Sequence, residues 1–161
     1  MAASKKQKET NEIQSICRNK RAFHEYEVFD TLECGIVLTG TEVKSLREHS
    51  ASLEEAYAKI DDGEVWLIGS DIPEYTMGNR LNHKPKRPRK LLLHKREIAK
   101  FAGKAAQQGY TLIPLRLYFK QGRAKIEIAV ARGKKQYDKR EVKKKEEAAR
   151  EIRKAMNQKR R

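Results

Sequence analysis

The stretch Leu115-Arg116-Leu117-Tyr118-Phe119-Lys120-Gln121-Gly122-Arg123-Ala124-Lys125-Ile126-Glu127-Ile128-Ala129-Val130 decides the fold. Leu115, Leu117 and Phe119 alternate with Arg116, Tyr118 and Lys120. After the turn dipeptide Gln121-Gly122, Ile126, Ile128 and Val130 alternate with Lys125, Glu127 and Ala129. A period of two belongs to strands with one buried face, so the stretch predicts an antiparallel hairpin. Pro114, just ahead of it, lacks an amide donor and is expected at a strand start or an edge.

Working outward, His24 to Phe29 and Glu33 to Leu38 read as two strands, and Gly35 permits a bulge or the close approach of another backbone. Val43 and Leu46 suggest a short helix over 41–47. Tyr57 to Ile60 and Glu64 to Ile68 flank Asp61-Asp62-Gly63, a second hairpin signal because the turn requires positive φ. Residues 76–90 carry Gly78, Pro85 and Pro88 without periodicity and read as a long basic loop. Ile98, Phe101, Ala102 and Ala105 form the apolar stripe of a helix over 94–108, which Gly109 can close. About six strands, hairpin links and two short helices predict a mainly β fold. An oligonucleotide-binding-type antiparallel barrel suits the length, although the periodicity fits an open sheet with helices on one face equally well.

Charge then directs attention to partners. The 161 residues carry a formal net charge of +15, with 37% charged and 38% hydrophobic residues. The last 30 residues hold 14 Lys and Arg against 5 Asp and Glu. A second run, Arg80 to Arg96, contains eight basic residues and no acid. Such density points to a polyanion, most simply nucleic acid. Three segments are expected: a flexible leader over 1–18, a barrel over 19–131, and a basic tail over 132–161. The tail is rich in helix formers and has only a thin apolar seam (Val142, Ala149, Ile152, Met156), so it is expected to be disordered when free and helical when bound. No run approaches the roughly 18 apolar residues of a membrane span. Cys17 and Cys34 are too few for a disulfide framework. A soluble, cytoplasmic monomer without metal or cofactor is the expectation.

Catalytic constellations are missing. His24, His49, His83 and His94 show no metal-ligand spacing, and there is no phosphate-binding glycine loop or nucleophile elbow. Aromatic residues amount to 7%, few for a protein that stacks many single-stranded bases. Shape and phosphate contacts with structured RNA fit better. A ribosomal protein with a basic tail is a competing class, and an RNA-processing enzyme would need clustered carboxylates.

Four motifs follow one another: Asn19-Lys20-Arg21-Ala22-Phe23-His24-Glu25-Tyr26, Gly40-Thr41-Glu42-Val43-Lys44-Ser45-Leu46-Arg47, Arg89-Lys90-Leu91-Leu92-Leu93, and Ala131-Arg132-Gly133-Lys134-Lys135-Gln136-Tyr137-Asp138-Lys139-Arg140. In this order they closely resemble the small protein B (SsrA-binding protein) family. The resemblance implies an oligonucleotide-binding-type barrel that grips the tRNA-like part of transfer-messenger RNA during ribosome rescue. It also implies a tail that folds into a helix in the empty message channel. The RNA-facing positions it implies are Lys20, Arg21, His24, Glu33, Lys90, Leu92 and Lys125. Those that would meet ribosomal RNA near the decoding site are Gly133, Lys134, Lys135, Tyr137, Asp138, Lys139 and Arg140. If Leu92 faces RNA, alternation makes Leu91 and Leu93 the core candidates. Tyr137 and His94 fall where some relatives carry His and Asn.

Overall fold

A computed structural model describes residues 13–48, 50–107 and 109–158. In chain order the elements are β1 (Ile13–Arg18), α1 (Lys20–Glu25), β2 (Tyr26–Ile36), α2 (Gly40–Arg47), β3 (Tyr57–Asp61), β4 (Glu64–Ile68), β5 (Arg89–Leu92), α3 (Lys95–Ala105), β6 (Tyr110–Lys120), β7 (Arg123–Gly133) and α4 (Gln136–Gln158). All strand pairings are antiparallel, in the order β1-β6-β3-β4-β5-β2-β7, and β7 pairs back onto β6. That last pairing closes six strands into a barrel and chooses between the two arrangements the periodicity left open. The seam is narrow at β3–β6, where Ala58 faces Leu112.

Local chemistry explains both hairpins. Asp62 and Gly63 turn with φ of 48° and 72°, and Gln121 and Gly122 with 51° and 72°. Two successive positive φ values give the turn whose twist matches the strands it joins. Inside the barrel, Ile126, Ile128 and Val130 meet Leu117, Phe119, Leu67, Leu91 and Phe101. Each such side chain contributes roughly 1.5–3 kcal/mol by leaving water. The helix expected over 94–108 stops earlier: α3 ends at Ala105 with Ala106 in right-handed αR geometry as its C-cap, so Gly109, with φ of 87°, turns the chain into β6 instead of capping the helix.

Several elements differ from the sequence reading. The sheet begins at Ile13: β1 pairs with β6, so residues 13–18 are strand and not flexible leader, while 1–12 lie outside the described residues. The segment 20–25 is helix, because Asn19 caps it by accepting from the Ala22 amide at 3.0 Å. The two strands expected over 24–38 are the single strand β2. Arg89–Leu92, split between a loop and a motif, is strand β5.

Pro114 lies buried in mid-strand rather than at an edge, beside a bulge between Pro114 and Arg116. The bulge also breaks the alternation, so Leu115 joins Ala22, Ile113, Ala129 and Ala131 in a second cluster under α1. Carbonyls at the bulge turn to Asn19, whose amide N–H donates to Leu115 O at 2.8 Å. Asn19 Nδ2 donates to Pro114 O at 3.1 Å and Leu53 O at 3.0 Å.

Candidate nucleic-acid interface

Leu92 of β5, Gly35 of β2, Lys125 of β7 and Tyr118 of β6 are consecutive partners across four strands. Directly paired residues project from the same face of a sheet. Ile36, Leu91 and Ile126 point inward, so this row stands on the outer wall. Leu92 is 53% exposed beside the buried Leu91, as alternation requires, and Leu93 packs against the core. Gly35 presents no side chain and leaves a dip between Leu92 and Lys125. The dip opens into a groove of about 630 Å³ whose lining includes Glu33, Leu92, His94, Arg123 and Lys125.

Glu33 is two residues before Gly35 on the same face. Its carboxylate accepts from the Tyr118 hydroxyl and from Lys120 Nζ at 3.1 Å. The Tyr118 hydrogen bond, with Lys120 and Lys125 behind it, holds the Glu33 carboxyl below its ordinary value against the opposing effect of burial. Burial and Glu33 push the Tyr118 hydroxyl well up. The carboxylate is thus ionised, oriented and an acceptor only. Lys90 projects from the same face of β5 as Leu92 and is ion-paired with Glu64.

The basic run 80–96 does not act as one surface. Arg89 is fully buried and donates to Glu42 Oε1 at 2.9 Å, Ser70 O at 2.8 Å and Pro85 O at 2.9 Å. Arg87 closes on the same carboxylate at 2.6 Å. Glu42 also accepts from the Thr39 amide at 2.7 Å, which starts α2. Burial alone would raise the Glu42 pKa; the bonds from Arg87, Thr39 and Arg89 outweigh it and bring it down. His83 is likewise structural, with Nδ1 2.9 Å from Thr41 Oγ1 and Nε2 2.9 Å from Ile72 O.

Lys20, Arg21 and His24 stand apart from the groove, on α1. Lys20 and Arg21 are exposed, and Arg21 pairs with Glu25 at 2.9 Å. Lys134 ties the tail root to this helix: its amide donates to Glu25 O at 2.9 Å and its Nζ to Phe23 O at 3.0 Å. Beyond Gly133, the end of β7, the tail is the helix α4. Ile152 and Met156 of its seam are 60% and 66% exposed. The side chains of Tyr137 and Asp138 lie outside the described ones. Sequence reasoning therefore named two groups of residues that the fold separates. It missed Arg123, Tyr118 and Lys120 beside the groove, which only strand pairing brings there.

The model of the SmpB protein family matches residues 16–158. This chain belongs to the SmpB family. An SsrA-binding protein of Thermobifida fusca (strain YX) is 55% identical over 160 residues, covering 99% of this chain and 100% of that protein. The SsrA-binding protein of Acidothermus cellulolyticus is 57% identical over 141 residues, covering 88% of this chain and 89% of its own. A chain in the solved structure "tmRNA-SmpB: a journey to the center of the bacterial ribosome" superposes with a TM-score of 0.64 at 46% identity, covering 74% of this chain and 85% of that one. The SmpB model begins inside β1 and ends with α4, so it spans both the barrel and the helical tail.

Proposed function

We propose that this protein binds the tRNA-like part of transfer-messenger RNA and carries it to stalled ribosomes for trans-translation. The observation that carries this reading is the outer-wall row Leu92–Gly35–Lys125 with Glu33 at its rim. An apolar ledge, an oriented acceptor and two cations fit a folded RNA: Leu92 packs on a base or ribose, Glu33 accepts from amino or hydroxyl donors, and Lys125 and Arg123 meet phosphate. Lys90, Lys20, Arg21 and His24 extend that contact. The 55% identity to an SsrA-binding protein along the whole chain supports the same partner.

Residues from Gly133 to Arg140, with Lys134, Lys135, Tyr137, Asp138 and Lys139 between them, meet ribosomal RNA near the decoding site. The rest of α4 follows the message channel. Ile152 and Met156 face solvent, so this end of the helix lacks the packing of an apolar face from which most helical stability in proteins comes. The tail accordingly melts in free solution and stiffens among RNA walls. The role is that of a binding protein rather than an enzyme, acting as a monomer in the cytoplasm. Among the described residues no helix is long and apolar enough to cross a membrane, and no group of three His, Cys, Asp or Glu could hold a metal.

Truncation after Arg132 tests the division of labour. Most affinity for transfer-messenger RNA should survive, while tagging of stalled products on reconstituted ribosomes should disappear. Loss of RNA affinity to the level of an unrelated basic protein would refute the reading.

A further inference from the structure

Where α4 meets α1, like charge faces like charge. The cleft between them has a volume of about 340 Å³ and, among the described residues, is lined by His24, Lys139, Arg140 and Lys143. Lys20 stands one turn before His24 on the same face of α1. The nearest carboxylate on α1, Glu25, is already held by Arg21 at 2.9 Å. Among the described residues, no ion pair neutralises Lys139, Arg140 or Lys143. His24 adds an independent sign. Its Nδ1 is buried without a hydrogen-bond partner, alone among the described side chains, and an unmade bond of that kind is unfavourable. Yet the two elements are tied together, because Lys134 bonds the last carbonyls of α1 through both its amide and its ammonium.

We infer that this cleft is a phosphate site, and that one phosphodiester of bound RNA held there fastens the root of the tail to α1. The inference rests on the RNA-binding reading and adds a site that spans body and tail. Phosphate oxygens accept from Lys139, Lys143 and the Arg140 guanidinium, and a turn of the His24 ring brings its unpaired nitrogen to the same anion. Without the anion these cations repel, and the root of the tail is held to α1 by the Lys134 bonds alone. RNA occupancy on the body thereby sets the direction in which the tail departs. The phosphodiester comes either from the tRNA-like RNA or from ribosomal RNA.

Amide hydrogen exchange of the full-length chain tests this, read over residues 139–143 in sodium chloride and in inorganic phosphate of equal ionic strength. Phosphate should slow exchange by about tenfold, the factor one charge-assisted hydrogen bond supplies. His24→Gln and Lys143→Gln should each abolish most of that slowing, and Lys154→Gln, far along α4, should leave it intact. A tRNA-like fragment and a decoding-region fragment added separately show which RNA supplies the phosphate. Equal exchange in both salts, an undiminished effect in both cleft variants, or protection by neither RNA overturns the site. Affinity for the tRNA-like fragment, measured in parallel on the same variants, keeps the two readings apart: a failed cleft with intact RNA binding leaves the proposed function standing.

Discussion

Gly35 and Leu92 face each other across β2 and β5 so closely that a Cβ on residue 35 would lie 3.1 Å from Leu92 Cβ and 3.4 Å from its Cδ1. The missing side chain at 35 lets an exposed leucine lie down over β2 and keeps the groove open toward Lys125. Gly35→Ala should displace Leu92 by a few tenths of an ångström and partly fill the dip. We expect RNA affinity to fall about fivefold with a stability loss near 1 kcal/mol. Leu92→Ala should weaken RNA binding similarly without raising stability. Filter binding and thermal unfolding of both variants check this, and an unchanged Gly35→Ala affinity would count against the groove.

Among the described residues, Glu42 and Arg89 make the one ion pair whose side chains are both 0% exposed. Removing either partner leaves an uncompensated buried charge, so Arg89→Met or Glu42→Leu should cost about 3–5 kcal/mol. Arg87→Ala should cost far less, since Arg87 reaches water and Glu42 keeps Arg89. Urea unfolding of the three variants gives the ranking. A cost for Arg87→Ala equal to that of Arg89→Met would show the network is not organised around the buried pair.

Asp30, Glu33 and Glu42 all have depressed pKa values, Asp30 chiefly through the Lys104 hydrogen bond at 2.6 Å. A carboxyl whose folded pKa is below its unfolded value adds stability that is complete above the unfolded pKa. That stability is lost as pH falls through the folded one. The urea midpoint should therefore change little from pH 7 to about 5.5 and fall steadily below about pH 4.5. Glu33→Gln should make that acid limb shallower, and a limb of unchanged steepness would contradict the assignment.

Asn19 uses its side chain as both donor and acceptor while 97% out of water, bonding Leu53, Pro114 and the Ala22 amide. Asn19→Ala strands two carbonyls and a helix amide, with an expected cost of about 2–3 kcal/mol. Because α1 carries Lys20, Arg21 and His24, RNA affinity should fall too. Asn19→Asp, which can still cap, should recover the helix signal in circular dichroism more than the stability. Equal behaviour of the two variants would remove the cap from the explanation.

The sequence by itself determined what neighbours along the chain can decide. The β6–β7 hairpin, the positive-φ turn at Asp62-Gly63 and the stripe of α3 each follow from spacing within a dozen residues, whereas alternation alone left open which face Leu92 takes. Charge arithmetic likewise needs no coordinates. Tertiary structure decided whatever depends on distant partners. Arg87, Arg89 and Lys90 read alike in a basic run; only the approach of Glu42 makes Arg89 a core residue. Pro114 reads as an edge signal until a bulge gives its carbonyl to Asn19, 95 residues away. Glu33 becomes an oriented acceptor through Tyr118, and β1 through pairing with β6. Local pattern fixes which side chains share a face, whereas the pairing of remote strands fixes what that face meets.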